Sequence, residues 1–211
     1  MAKAPSKAAP RKAATNVVAL KPADAPAPAE LKMFTHGDAV HPGFSFSRYW
    51  WAGEGPRAGI EPWVRKKLSP GEHPVFGRAT RHEVLIPDGA PTEYADLDHL
   101  LSRFDRTLPP FERHAFIQVK LALSTGWTAA YENVRAFARG HFAQALRHPV
   151  ILVAHVPAKV SLGNAAHAHC IVPSRPLTLD GLGQTNHPLC SDKGYEAILA
   201  AWRRHRAAEA K

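Results

Sequence analysis

The sequence predicts an α+β domain whose antiparallel sheet carries helices on one face. Two observations lead there. Strand-like and helical periodicities follow one another in the order β-α-β-α-β-β-α, which suits an antiparallel sheet better than a parallel one. The length, 211 residues, holds one domain with a core plus tails and would be tight for two.

Residues 1–30 are mostly Ala, Pro and Lys, with five basic residues against Asp24 and Glu30. Such a composition buries too little apolar surface to offset chain entropy, so a disordered basic tail is expected. Residues 31–80 bring Pro and Gly at short intervals around Phe44, Phe46, Tyr49, Trp50, Trp51 and Trp63, and predict an irregular aromatic-rich arm packed on the core. The α+β domain proper is expected over 81–211.

Its first strand covers 83–87 and stops at the turn pair Asp88-Gly89. Over 96–105, Leu97, Leu100, Leu101 and Phe104 recur at helical spacing. A longer strand fits 115–123, with the polar Gln118 and Lys120 expected to face water. The clearest helix spans 128–147, where Tyr131, Val134, Phe137, Phe142 and Leu146 form one stripe. His148-Pro149 ends it. A continuous apolar run over 149–156 reads as a strand buried on both faces, and 167–173 as a second strand after a broad loop. A last helix over 192–206 turns Ile198, Leu199 and Trp202 inward.

Lys and Arg outnumber Asp and Glu by 27 to 18, a net charge of +9 that favours a polyanionic partner. Two cysteines and the lack of an apolar leader point to the cytoplasm. The longest apolar run is far short of the roughly 20 residues of a membrane span.

Alternate residues of a strand share a face, so His167 and His169 emerge together and Cys170 points away. His155 ends the preceding strand. If the two strands pair, three imidazoles converge, a ligand set with open positions that suits a catalytic divalent ion. Of other constellations, His187-Pro-Leu-Cys190 lacks a second ligand pair, and Arg175 offers a fork for a phosphate. Arg48, Trp50 and Trp51 have the chemistry to neutralise and stack on single-stranded bases, although core packing accounts for the tryptophans equally.

The run Gly163-Asn-Ala-Ala-His-Ala-His169, followed by Pro173-Ser-Arg175 and Leu179-Asp-Gly-Leu-Gly183, resembles the core of the MobA/MobL relaxases, members of the HUH endonucleases. The resemblance spans about residues 110–206, with Ala166 where the family usually has Pro and Pro157 where Asp is common. It implies His155, His167 and His169 as ligands of a divalent metal ion, Mg or Mn, and single-stranded DNA as the ligand. It also implies phosphodiester nicking and strand transfer in plasmid mobilisation, with accessory mobilisation proteins as partners. The family's nucleophile is a tyrosine. Tyr49 occupies the family's order, ahead of the sheet; Tyr195 occupies the order of the replication-initiator branch, on a helix after the histidine pair. The catalytic residue is left open between them. Two rivals stand beside this reading: a DNA-binding relative without the tyrosine step, and a metal-dependent enzyme on an unrelated β fold, which would place an acidic residue beside the histidines.

Overall fold

The computed structural model describes residues 28–36, 41–71, 78–124, 126–156 and 165–209. Six strands, β1 (Glu30–His36), β2 (Phe44–Ala52), β3 (Arg81–Leu85), β4 (His114–Ala122), β5 (Val150–His155) and β6 (His167–Pro173), form one sheet. Its order is β1-β2-β4-β6-β5-β3 and every pairing is antiparallel. A small hairpin, β7 (Leu177–Thr178) and β8 (Gly181–Leu182), stands apart. The helices are α1 (Glu61–Leu68), α2 (Leu97–Thr107), α3 (Trp127–Phe137) and α4 (Asp192–Glu209), and a π-helical stretch, Ala138–Ala145, continues α3. No described helix is long and apolar enough to cross a membrane.

Strand alternation divides the core. Phe46, Val119, Leu121, Leu152, Ala154, Cys170 and Val172 face α3 and α4, where Tyr131, Phe137, Ile198 and Trp202 close the layer. Phe116, Ile151, Val153 and Ile171 face the other way, meeting Val64 of α1 and Leu100, Leu101 and Phe104 of α2. The expected helical cover on one face is present, and α1 with α2 adds a second cover over part of the other. This explains the unbroken apolar run of β5: Val150 to Ala154 are all at 0% exposure because both sides are roofed. The α2 amino terminus is capped by Asp96, whose carboxylate accepts from the His99 amide at 2.8 Å.

Residues 31–80 correct the expectation of an irregular arm, since they supply β1, β2 and α1. The turn-forming residues that read as irregularity sit at strand ends: Gly43 (φ +79) precedes β2 and Gly53 (φ +99) follows it. Between them Phe44 and Phe46 point to the α3/α4 layer, and the alternate positions Ser47 and Tyr49 face the other side. Trp51 continues the same alternation into the α1/α2 core, and the register shift opposite Tyr49 and Trp50 falls on β4, where Ala115 is the extra residue and joins Phe116 in that core. The expected tail boundary at residue 30 is also too late. Ala29 is buried and bridged to Arg57, and Glu30 opens β1. Residues 1–27 lie outside the described residues.

Candidate metal centre

The β5/β6 register sets His155 directly opposite His167 and Val153 opposite His169. All three imidazoles therefore share the α1/α2 side of the sheet, at its uncovered end. Their ring centroids are 5.2 Å (His155 to His167), 5.1 Å (His155 to His169) and 4.8 Å (His167 to His169) apart. One nitrogen from each lies within 4.8 Å of the other two.

Backbone carbonyls fix the tautomers. His155 Nε2 donates to the Lys67 carbonyl at 2.8 Å, and His167 Nδ1 donates to the Ala165 carbonyl at 2.8 Å. A carbonyl only accepts, so in the neutral rings the remaining nitrogens, His155 Nδ1 and His167 Nε2, carry lone pairs that face each other at 3.3 Å. Two lone pairs so placed repel unless a proton or a cation lies between them. His169 is 4% exposed, and its Nδ1 is buried with no hydrogen-bond partner among the described residues. Carbonyls holding the far nitrogen of two rings are the outer shell that metal-binding imidazoles use. Burial lowers the pKa of all three below the ordinary histidine value; the neighbouring imidazoles and lysines push His169 further down. The rings are thus neutral and able to ligate at pH 7. These features fit a divalent ion.

The histidines open onto a cavity of about 570 Å³, lined also by Tyr49, Trp63, Lys66, Lys67, Arg78, Gln118 and Lys120. Gln118 and Lys120, expected to face water, instead line it. Burial, and then the charges of Lys66 and Lys120, lower the Lys67 pKa, so an anion seated here would relieve its strain. No carboxylate is among the described lining residues.

The tyrosines separate. Tyr49 shares the cavity with the histidines, stacked on Phe116 (4.3 Å) and edge-on to Trp63 (4.8 Å). Burial pushes its phenol up to about 12, against a hydrogen bond from Ser47. Tyr195 stacks on His36 at 4.1 Å beside Phe44 and Phe46, which face the α3/α4 layer, so the sheet stands between it and the histidines.

Arg175 corrects the expectation of a phosphate fork. It is 8% exposed and its guanidinium is committed to acceptors within the fold: Gly183 O, Leu182 O (2.7 Å), Thr107 O (2.9 Å) and Thr107 Oγ1 (2.8 Å). It clamps the β7/β8 hairpin to the end of α2. Arg175→Ala removes four hydrogen bonds that a buried guanidinium donates to the hairpin and to Thr107, and is expected to cost about 1–3 kcal/mol, read as a lower urea midpoint, without altering nucleic-acid affinity at temperatures where the chain is folded. Trp51 and Arg48 also leave the expected base-stacking group. Trp51 is buried with Nε1 donating to the Ala58 carbonyl, and Arg48 pairs with Asp192 at 3.0 Å. Asn164 and Pro157 of the histidine motif lie outside the described residues.

Sequence reasoning missed a second cluster. His187 meets Glu112 and His114 rather than Cys190. The Cys190 thiol is buried and pushed up to about 12.

Fold and site together define an α+β protein in which an antiparallel sheet presents three histidines to a basic cavity. A solved structure described as the molecular basis of vancomycin resistance transfer in Staphylococcus aureus is similar in fold: 14% sequence identity, TM-score 0.50, covering 61% of this chain and 68% of that one. No family model matches the sequence, and no curated protein does.

Proposed function

We propose that this protein binds single-stranded DNA and a divalent metal ion at His155, His167 and His169, as a HUH relaxase domain of the MobA/MobL kind acting in plasmid mobilisation. The observation that carries this reading is the convergence of three neutral imidazoles in a cavity whose charged groups are all basic and which also holds Tyr49. A metal-dependent enzyme of the unrelated kind would set a carboxylate beside the histidines, and none lines the cavity among the described residues.

Lys66, Lys67, Arg78 and Lys120 neutralise the phosphates of a strand crossing the sheet. A divalent ion on the three imidazoles supplies polarisation of one phosphodiester oxygen. Nitrogen donors bind first-row transition ions more readily than Mg²⁺, so of the two ions Mn²⁺ should bind the tighter. Tyr49 supplies the nucleophilic oxygen: its O–P bond forms as the bond to the departing sugar oxygen breaks, and the phenolic proton passes to solvent or to that oxygen.

The test is incubation of the full chain with a labelled single-stranded oligonucleotide and Mn²⁺ or Mg²⁺, followed by a denaturing gel. A covalent adduct is expected from the wild type and from Tyr195→Phe, and none from Tyr49→Phe. An adduct that survives in Tyr49→Phe removes the tyrosine assignment. The 4% exposure of Tyr49 favours one second reading, binding without strand transfer. That reading holds if the wild type retains DNA yet forms no adduct.

A further inference from the structure

We infer that Glu112, His114 and His187 form a second divalent-metal site, separate from the three-histidine centre and of the kind that takes zinc. The three side chains meet where the loop before β4 touches the 3-10 turn before α4. His114 opens β4, whereas Lys120 and Ala122, which pair with His169 and His167, lie toward its other end. At about 3.3 Å per strand residue the two sites are about 20 Å apart.

One carboxylate spans both rings. Glu112 Oε1 is 3.0 Å from His114 Nδ1, and Glu112 Oε2 is 3.0 Å from His187 Nε2. Zinc bonds to nitrogen and oxygen of about 2.0–2.2 Å place neighbouring donors of a tetrahedral site about 3.3–3.5 Å apart; one donor atom from each of the three side chains already lies within 4.8 Å of the other two, so rotation of the side chains closes the set around an ion. Two imidazoles and one carboxylate, with a position left for water, are a ligand set used by zinc and ferrous iron. Binding needs no net proton loss from neutral rings. The ion takes the place of the N–H that points at the carboxylate, and each ring keeps its proton on the other nitrogen.

The carboxylate is built to stay charged. It is 6% exposed, and Oε1 accepts from the amides of Arg113 (2.7 Å) and His114 (2.8 Å), which fix its orientation. Burial alone would raise its pKa, but the His114 amide, the Thr185 hydroxyl, the His114 ring and the Arg113 amide bring it down to about 2. Its ion-pair partners within 4 Å, among the described residues, are the two imidazoles alone. The guanidinium groups of Arg57 and Arg175 act on this carboxylate from a distance, and a divalent cation held between it and the two rings would add charge in direct contact. The His187 side chain is 62% exposed, so an ion reaches the cluster from solvent. Bound there, it would staple the start of β4 to the segment leading into α4, stabilising the folded chain by mass action.

The test is zinc titration of the full chain against a chromophoric chelator, with His155, His167 and His169 all changed to Ala so that the outcome is independent of the first centre. One tight equivalent is expected to remain, and adding His187→Ala should weaken it at least about tenfold. Glu112→Gln, which keeps an oxygen acceptor but removes the charge, should do the same. Zinc should raise the melting temperature of the triple variant and leave that of the quadruple variant unmoved, a difference that lost ion pairing alone does not produce. If the triple variant does not fold, the count is made on the otherwise native chain, where His187→Ala should remove one equivalent. Unchanged stoichiometry and affinity after His187→Ala and Glu112→Gln would overturn the assignment.

Discussion

Alanine at both His167 and His169 is expected to weaken Mn²⁺ binding at the first centre by more than about 100-fold while leaving the chain folded. Loss of an outer-shell partner typically costs about 10–100-fold in metal affinity, and this change removes two of three direct ligands. The fold should tolerate it. Among the described residues His169 Nδ1 is buried without a partner and His167 Nδ1 donates to a neighbouring carbonyl, so little hydrogen bonding is lost, and the void left by the 4%-exposed His169 ring should cost about 1–3 kcal/mol. Calorimetric titration and a urea melt together check both halves. Unaltered affinity would mean that the ion binds elsewhere.

A pH series adds a signature. Three histidines at the ordinary value near 6.5 would each be about three-quarters protonated at pH 6, and proton competition would cut metal affinity by about 60-fold. Burial lowers all three values here, so affinity should fall much less between pH 7.5 and pH 6. The same shifts act on folding with the opposite emphasis. The unfolded rings take up protons below about pH 6.5 while the folded ones resist, so these groups make the metal-free chain less stable as pH falls.

The legible parts of the molecule were those written in local pattern. The apolar run of β5 and the alternation of β6 fixed two strands and a shared face, and the histidine register followed from strand pairing alone. β1 and β2 were obscured because Pro42, Gly43 and Gly53 flank them closely and because the run Tyr49-Trp50-Trp51 places aromatic residues on both faces, which blurs the apolar–polar alternation of a strand. Arg175 misled for a different reason. Its charge argues for solvent, and only the fold shows hairpin and helix carbonyls aimed at it from positions as distant as Thr107. The Glu112 cluster was out of reach in the same way, since His187 lies 75 residues from Glu112 and no periodicity connects them. Tyr49 and Tyr195 could be ordered along the chain but not assigned to sheet faces until β2 was recognised as a strand.

A chain beginning at Pro28 is expected to bind single-stranded DNA with a log–log salt slope of roughly −2 to −4, which corresponds to about three to six phosphate contacts. Starting there removes five basic residues and Asp24, leaving 22 basic against 17 acidic, while keeping the buried Ala29 and the whole of β1. Raising salt from 50 to 200 mM should then lower affinity by about 16- to 250-fold. Lys66 and Lys67 project from α1 into the cavity beside the histidines. Changing both to Glu removes two phosphate contacts and adds two repulsive charges, so affinity at low salt should fall at least about tenfold and the slope should flatten by about 1.4. Arg175→Ala should leave the slope unaltered, because its guanidinium is spent on Thr107, Leu182 and Gly183. Filter binding across a salt series reads all three chains. If the chain from Pro28 shows no binding at low salt, or if the two glutamates leave both affinity and slope untouched, the strand does not cross this cavity and the basic wall serves another anion.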